Sequence, residues 1–305
     1  MPLKHVLTSL THDEYPQPSR ACSVNRSIRR FAERHKATIR RWIPQGLRDL
    51  FNLWTGHAIR YRGVYLDWES ATLAAGGYAE EGLFTRLEAA ALAIKRGDAA
   101  WEQDGVLYDR IPADSPVLLS LARVALARGG RLTVLDYGGA FGSTYRQCRA
   151  HLPEVSEMKW CIVEQPQLVA SGRRNFQTGQ LVFEESLESS LQHGIPDVAI
   201  LSSVLQYLKD PHDLIRRMAR VPVDYLIVDR LPYSLTKELI TVQVVPPSLY
   251  AASYPSWLFD AYKFASTLSE DYELLAEWKG KDPPIRGRGI GARFAGSFWR
   301  RKERP

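Results

Sequence analysis

A chain of 305 residues with 45% hydrophobic and 24% charged residues can bury one full α/β core, has no room for two large independent domains, and is not disordered in composition. Its net charge of +6 is uneven: residues 1–60 hold 11 Lys/Arg against 4 Asp/Glu and residues 281–305 hold 8 against 2, which leaves 61–280 at −7. An acidic body with basic ends suits an anionic surface or polyanionic partner better than a basic nucleic-acid cleft through the body. Cys22, Cys148 and Cys161 have no metal-type spacing, and their odd number argues against a disulfide framework, so the expected compartment is a reducing cytoplasm. No run approaches the roughly 20 apolar residues of a membrane span, and the N-terminus lacks the apolar centre of a signal peptide.

Along the chain, residues 1–60 form a basic extension. Within 27–54, Ile28, Phe31, Ile39, Trp42, Leu47, Phe51 and Trp54 recur at helical intervals among arginines, predicting two basic amphipathic helices broken near Pro44. Such helices dock on their own domain, or lie peripherally on an anionic membrane face. Residues 61–130 read as a helical cap. GVYLDWESATLAAGGY (63–78) predicts a short helix with Asp67 as N-cap and Gly76 or Gly77 as its stop, and 81–96 and 115–128 predict longer ones.

From 131 to 305 the texture changes. RLTVLDYG, KWCIVEQ, QLVFEES, PDVAILSSV and DYLIVDRL read as strands, with helices over GSTYRQCRAHL, PQLVASGRRNFQ and HDLIRRMARV. Strands alternating with helices require an α/β fold with a mostly parallel sheet covered on both faces. YELLAEWKG and ARFAGSFWRRKE, joined by the turn-rich KDPPIRGRGIG, predict a terminal antiparallel hairpin.

The stretch LDYGGAFGSTY places Gly138, Gly139 and Gly142 directly behind the first of these strands. A bare turn there lets backbone approach a ligand, and the following helix offers free N–H groups. No register satisfies G-x-G-x-x-G, and no Walker lysine follows Gly142, so a dinucleotide and a nucleoside triphosphate both lose ground. Without a ligand, the same glycines would be a tight strand-to-helix turn.

Asp136-Tyr137-Gly138-Gly139-Ala140-Phe141-Gly142 resembles the acidic-x-G-x-G-x-G loop of class I S-adenosylmethionine-dependent methyltransferases, with Ala140 in place of the middle glycine. A methyl group is tolerated there where φ stays negative. VLDYGGAFGSTY, VEQPQLV, PDVAILSSVLQYLKDP, DYLIVDR, TVQVVPPSLYAASYPSW and GVYLDWESA together resemble a bacterial family of class I methyltransferases encoded with surface polysaccharide or lipopolysaccharide genes, over residues 60–300. The resemblance implies a Rossmann-like sheet and S-adenosylmethionine as cofactor. It further implies that Asp136, Gly138, Gly139, Ala140, Gly142 and Ser143 face the cofactor's amino-acid part, and that Glu164 with Gln165 meets the ribose. Glu184 and Glu185 would meet the adenine or be ordinary surface charges, and Ser202, Ser203 and Gln206 would pass beneath the cofactor or merely satisfy a turn.

An oxygen acceptor must lose a proton, so a base is sought on the loops at the carboxyl edge of the sheet. Tyr207, His212 and Asp229 are the candidates, although His212 reads first as a surface residue of a helix start. Arg230 suits a phosphate or carboxylate, or pairs with Asp229, and Tyr250, Tyr254 and Trp257 offer faces to a sugar ring or pack in the core. The expected acceptor is a saccharide or glycolipid, with no metal and no nucleic-acid partner. The competing expectations are methylation of RNA or another polyanion through the basic ends, and a non-catalytic assembly module.

Overall fold

The structure, a computed structural model, describes residues 59–75, 80–247 and 250–303. The extension expected over 1–60, with its basic helices at 27–54, lies outside the described residues except for Ile59 and Arg60, as do Gly76 and Gly77.

In chain order the elements begin with β1 (Arg60–Tyr65), α1 (Trp68–Ala75), α2 (Glu80–Arg96), β2 (Trp101–Gln103), β3 (Val106–Tyr108) and α3 (Pro116–Ala127). The alternating region follows: β4 (Arg131–Tyr137), α4 (Ser143–His151), β5 (Glu157–Val163), α5 (Pro166–Asn175), β6 (Leu181–Glu184), α6 (Leu187–Ser190), β7 (Val198–Ser202), α7 (Pro211–Arg220) and β8 (Tyr225–Ser234). The chain closes through β9 (Leu239–Val245), β10 (Ala252–Leu258), α8 (Ala261–Ser269), β11 (Tyr272–Lys279), β12 (Ile285–Gly287) and β13 (Ile290–Arg301).

The main sheet runs β11-β13-β8-β7-β4-β5-β6. β4 through β8 pair in parallel, while β13 lies antiparallel between β8 and β11, which is the expected Rossmann-like sheet with its terminal hairpin. The strand segments Val134–Asp136 and Val198–Leu201 are buried continuously because helices cover both faces. One face packs Leu121, Val124, Trp160, Ile162, Phe183 and Phe298; the other packs Leu135, Leu201, Leu214, Met218, Val228 and Trp299. Helix starts are written locally: Ser115 and Asp210 accept from Leu118 N and Asp213 N, each followed by proline at the first helical position.

The cap is not purely helical. β1 pairs antiparallel with β9, and β9 with β10, in a second three-stranded sheet. The TVQVVPPSLYAASYPSW segment is therefore largely two strands of that sheet. α1 lays Ala71 and Ala75 against Ile240 and Val242, and Trp68 stacks on Trp257 at 6.3 Å. β2 and β3 form a hairpin whose turn residues, Asp104 (φ 52) and Gly105 (φ 73), are both left-handed. Asp-Gly is the sequence signature of such a turn, and EQDGVLY carries it. α8 had no counterpart in the sequence expectation, although Asp260 caps it through Lys263 N at 2.9 Å.

Candidate active site

The chain runs from β4 outward to β5 and β6 on one side, and through β7 to β8 on the other, so a crevice opens beyond the carboxyl end of β4. There lies a cavity of about 1180 Å³, bounded by this edge, the β2–β3 hairpin and the second sheet. Single-ligand pockets occupy roughly 300–1,000 Å³, so this one has room for two molecules side by side.

The glycine loop forms its inner wall. Gly138 (φ +79) passes so close to Val204 that an added Cβ would lie 2.6 Å from its Cγ2, and a Cβ on Gly139 would lie 2.5 Å from the Asp136 carboxyl group. Gly142 (φ 88) caps α4. Ala140 adopts φ +47, so the condition of a negative φ under which a methyl group is tolerated there is not met. Its N–H donates to Glu164 Oε1 at 3.1 Å, while Glu164 Oε2 accepts from Gln165 N at 3.0 Å. Each oxygen keeps a lone pair for a ligand hydroxyl.

Asp136 is buried and accepts from Trp160 Nε1 at 3.1 Å. Burial, joined by the neighbouring Glu164 charge, pushes its carboxyl up to about 7 against the Trp160 hydrogen bond. Burial also raises Glu164 against its two backbone donors. Among the described residues neither carboxylate has a cationic partner. This wall is arranged for a ligand that brings its own positive charge.

Other expected residues divide. Ser143, Gln165, Glu185, Ser202 and Ser203 line the cavity with the loop. Glu184 does not; it pairs with Arg173 (3.1 Å) and His193 (2.8 Å) on the outer side of β6. Gln206 is buried behind the wall, donating to Ser203 Oγ (3.1 Å) and the Arg230 carbonyl (3.4 Å), and so ties the two loops together.

Among the proposed bases, His212 is displaced from the cavity: its ring contacts Glu238 Oε1 at 3.2 Å and packs edge-on against Trp257 and Phe259. Tyr207 lines the cavity, and burial pushes its hydroxyl up to about 12, which makes it a neutral hydrogen-bonding group. Asp229 also lines the cavity. Its Oδ1 accepts from Trp278 Nε1 at 2.7 Å and its Oδ2 from Ser202 Oγ at 3.4 Å, and burial raises its carboxyl against the Trp278 bond.

Asp229 and Arg230 lie within β8, not after it. Val228 pairs with Ser297 and Leu231 with Ala295, so two residues oppose Gly296 in a bulge, and Arg230 takes φ +53. The bulge turns the guanidinium toward the mouth, where it bonds bidentately to both Asp104 (3.3 and 2.7 Å) and Asp282 (3.1 and 3.1 Å). Its ion pairs are with these two carboxylates rather than with Asp229, and they clasp the β2–β3 hairpin to the segment after β11. Glu102 holds the same hairpin down from inside, accepting from the Ser143 hydroxyl and from Gly105 N (3.1 Å).

Tyr250 and Tyr254 line the cavity as expected, whereas Trp257 does not: its Nε1 donates to the Leu208 carbonyl at 3.0 Å and its ring is packed by Trp68. Residues absent from the sequence expectation complete the site, notably Gln243, Arg86 and Trp278. A buried glutamine inside the apolar strand LITVQVV is the signal that could have found the first.

No family model matches the chain. No curated protein matches it significantly. Solved structures do resemble it. They include a Burkholderia thailandensis 1,6-didemethyltoxoflavin N1-methyltransferase with S-adenosylhomocysteine (14% identical, covering 74% of this chain and 91% of that one, TM-score 0.39). Two others are the N-terminal domain of EvdMO1 with S-adenosylhomocysteine and D-fucose (14%, 72% and 97%, 0.40), and the Bradyrhizobium japonicum N-methyltransferase NodS with S-adenosylhomocysteine (15%, 63% and 90%, 0.37). At these scores they add nothing to what strand order and the site already say.

Proposed function

We propose that this chain is an S-adenosylmethionine-dependent methyltransferase acting on a hydroxyl of a saccharide or glycolipid-related acceptor. The observation that carries the reading is the pair Asp136 and Glu164, set on a glycine-bare wall with no cationic partner among the described residues. S-adenosylmethionine is a cation carrying a ribose diol, which suits an acidic wall with open lone pairs. Asp136 would hold its ammonium, Glu164 its ribose hydroxyls, the Gly138–Ala140 backbone its amino-acid part, and Glu185 its adenine. When bound, this cofactor supplies an electrophilic methyl carbon.

The remaining tasks fall to the chain. The acceptor oxygen must be aligned, and its proton must go somewhere as the new C–O bond forms. Asp229 is the base: a carboxylate raised by burial, anchored by Trp278, with a weak second contact from Ser202. Tyr207 positions the acceptor as a neutral group. The glycan setting rests on the sequence resemblance over 60–300. A cytoplasmic protein with peripheral membrane contact through 27–54 would suit it.

Calorimetry with S-adenosylhomocysteine and with NAD⁺ tests the core of this reading. Heat with the former alone is expected; heat with NAD⁺ alone would overturn it.

A further inference from the structure

The outer half of the cavity is walled by the second sheet, and one side chain organises it. Gln243, in the middle of β9, is 3% exposed. Its Oε1 accepts from Tyr61 (2.9 Å) and Tyr207 (3.2 Å), its Nε2 donates to the Tyr254 hydroxyl (3.0 Å), and the Tyr254 and Tyr250 hydroxyls share a further bond at 3.2 Å. Three tyrosines from separate segments, Tyr61, Tyr207 and Tyr254, are thereby oriented by one amide, and Tyr250 is held through Tyr254. Tyr207, Tyr250 and Tyr254 line the cavity with it.

The direction of each proton sets what this wall can recognise. An amide oxygen only accepts, so Tyr207 spends its proton on Gln243 and turns lone pairs to the cavity. With its hydroxyl pushed up to about 12, it does not become an anion in the working pH range. Asp229 is likewise an acceptor when ionised. Of the cavity-lining cations among the described residues, Arg230 pairs with Asp104 and Asp282 and Lys281 with Asp114 at 2.6 Å, whereas Arg86 lies over the Tyr250 ring at 6.0 Å and Lys279 is solvent-exposed. Beside Tyr207 and Asp229 a ligand donor is therefore favoured and a negative charge disfavoured. Tyr207 and Tyr254 stand edge to face, 5.2 Å between centroids, presenting a flat apolar surface beside the polar one.

We propose that Gln243 is a specificity-determining residue that, through Tyr207 and Tyr254, makes this wall a subsite for a neutral, hydroxyl-bearing ring and rejects phosphorylated or carboxylated counterparts. The proposal rests on the methyl-transfer reading of the inner wall. It replaces the expectation that Arg230 would draw an anionic acceptor.

Saturation-transfer NMR tests it on the intact chain, with and without S-adenosylhomocysteine. The probes are methyl α-D-glucopyranoside, methyl α-D-mannopyranoside and methyl α-L-rhamnopyranoside, against glucose 6-phosphate and glucuronate. At least one neutral glycoside is expected to bind and both anions to fail. Gln243→Met and, as a milder change, Tyr207→Phe are each expected to weaken the glycoside about tenfold, with S-adenosylhomocysteine affinity unchanged. Binding of the anions in preference, no glycoside binding by a protein that does bind S-adenosylhomocysteine, or glycoside binding untouched by both substitutions would overturn the proposal. Failure of S-adenosylhomocysteine alone would instead strike the methyl-transfer reading, and the glycoside results without it would still decide the subsite.

Discussion

The inner wall, at the carboxyl ends of β4, β5 and β7, meets its ligand with bare backbone and carboxylates, whereas the wall on β9 and β10 offers an amide and phenolic hydroxyls. On the inner wall the recognising groups are also the folding groups: Gly138 has φ +79 with Val204 against it, and Asp136 shares its carboxyl between Trp160 and the cavity. On the outer wall the hydroxyls sit at the tips of side chains whose rings do the packing. The first arrangement suits a ligand that never changes, and the second can be retuned one atom at a time without disturbing the sheet.

That contrast is broken most severely at Gly138. Gly138→Val forces a branched residue into left-handed backbone and against Val204, so S-adenosylhomocysteine binding is expected to fall by about 100-fold or more, while glycoside binding on the outer wall persists; calorimetry and NMR on the same protein read both. Equal loss at both ligands would mean the walls are not separable.

A smaller effect concerns charge. Because Asp136 is held up to about 7 from its ordinary 3.8, its contribution to the stability of the ligand-free fold is fully present below 3.8 and is lost as pH rises through about 7. Ligand-free protein should therefore melt at a lower temperature at pH 8 than at pH 5 by more than Asp136→Asn does. S-adenosylhomocysteine, bringing an ammonium, should bind more tightly as pH rises from 6 to 8, and the slope should flatten in Asp136→Asn. A variant with the wild-type slope would assign the titration to another group.

The smallest change is at Ala140. With φ +47, Ala140→Gly removes a side chain from left-handed backbone and should stabilise the fold by about 1 kcal/mol, with cofactor affinity retained, as read by thermal melting and calorimetry. Destabilisation would show that the methyl group is packed usefully.

The inner wall was legible in the sequence because its logic is local. Asp136 to Gly142 is a continuous strand-to-helix turn, and Glu164 follows an apolar strand that pairs with it. The outer wall was not, because its logic is long-range. Arg230 looked like an anion receptor until Asp104 and Asp282, 126 and 52 positions away, came to meet it. His212 looked available until Glu238 and the ring of Trp257 enclosed it. β1 went unread because its partner strand lies some 180 residues on, as the Tyr61–Gln243 pairing shows, and no local pattern announces such a partner. The φ of +47 at Ala140 was equally invisible, as was the carboxylate 24 residues downstream that its N–H meets.

The Arg230 clasp has a consequence in time. It joins a hairpin from the first third of the chain to a bulge in β8 and a segment near the end, and these meet only once the parallel sheet has formed and β11 has been laid down. Closing such long loops is costly before the intervening structure exists. We predict that the mouth is completed last during folding and opens first during native fluctuation. Pulse-labelled hydrogen exchange would register this as late protection at Gly105 N, after the amides of β4 and β7; protection arising together would refute that order.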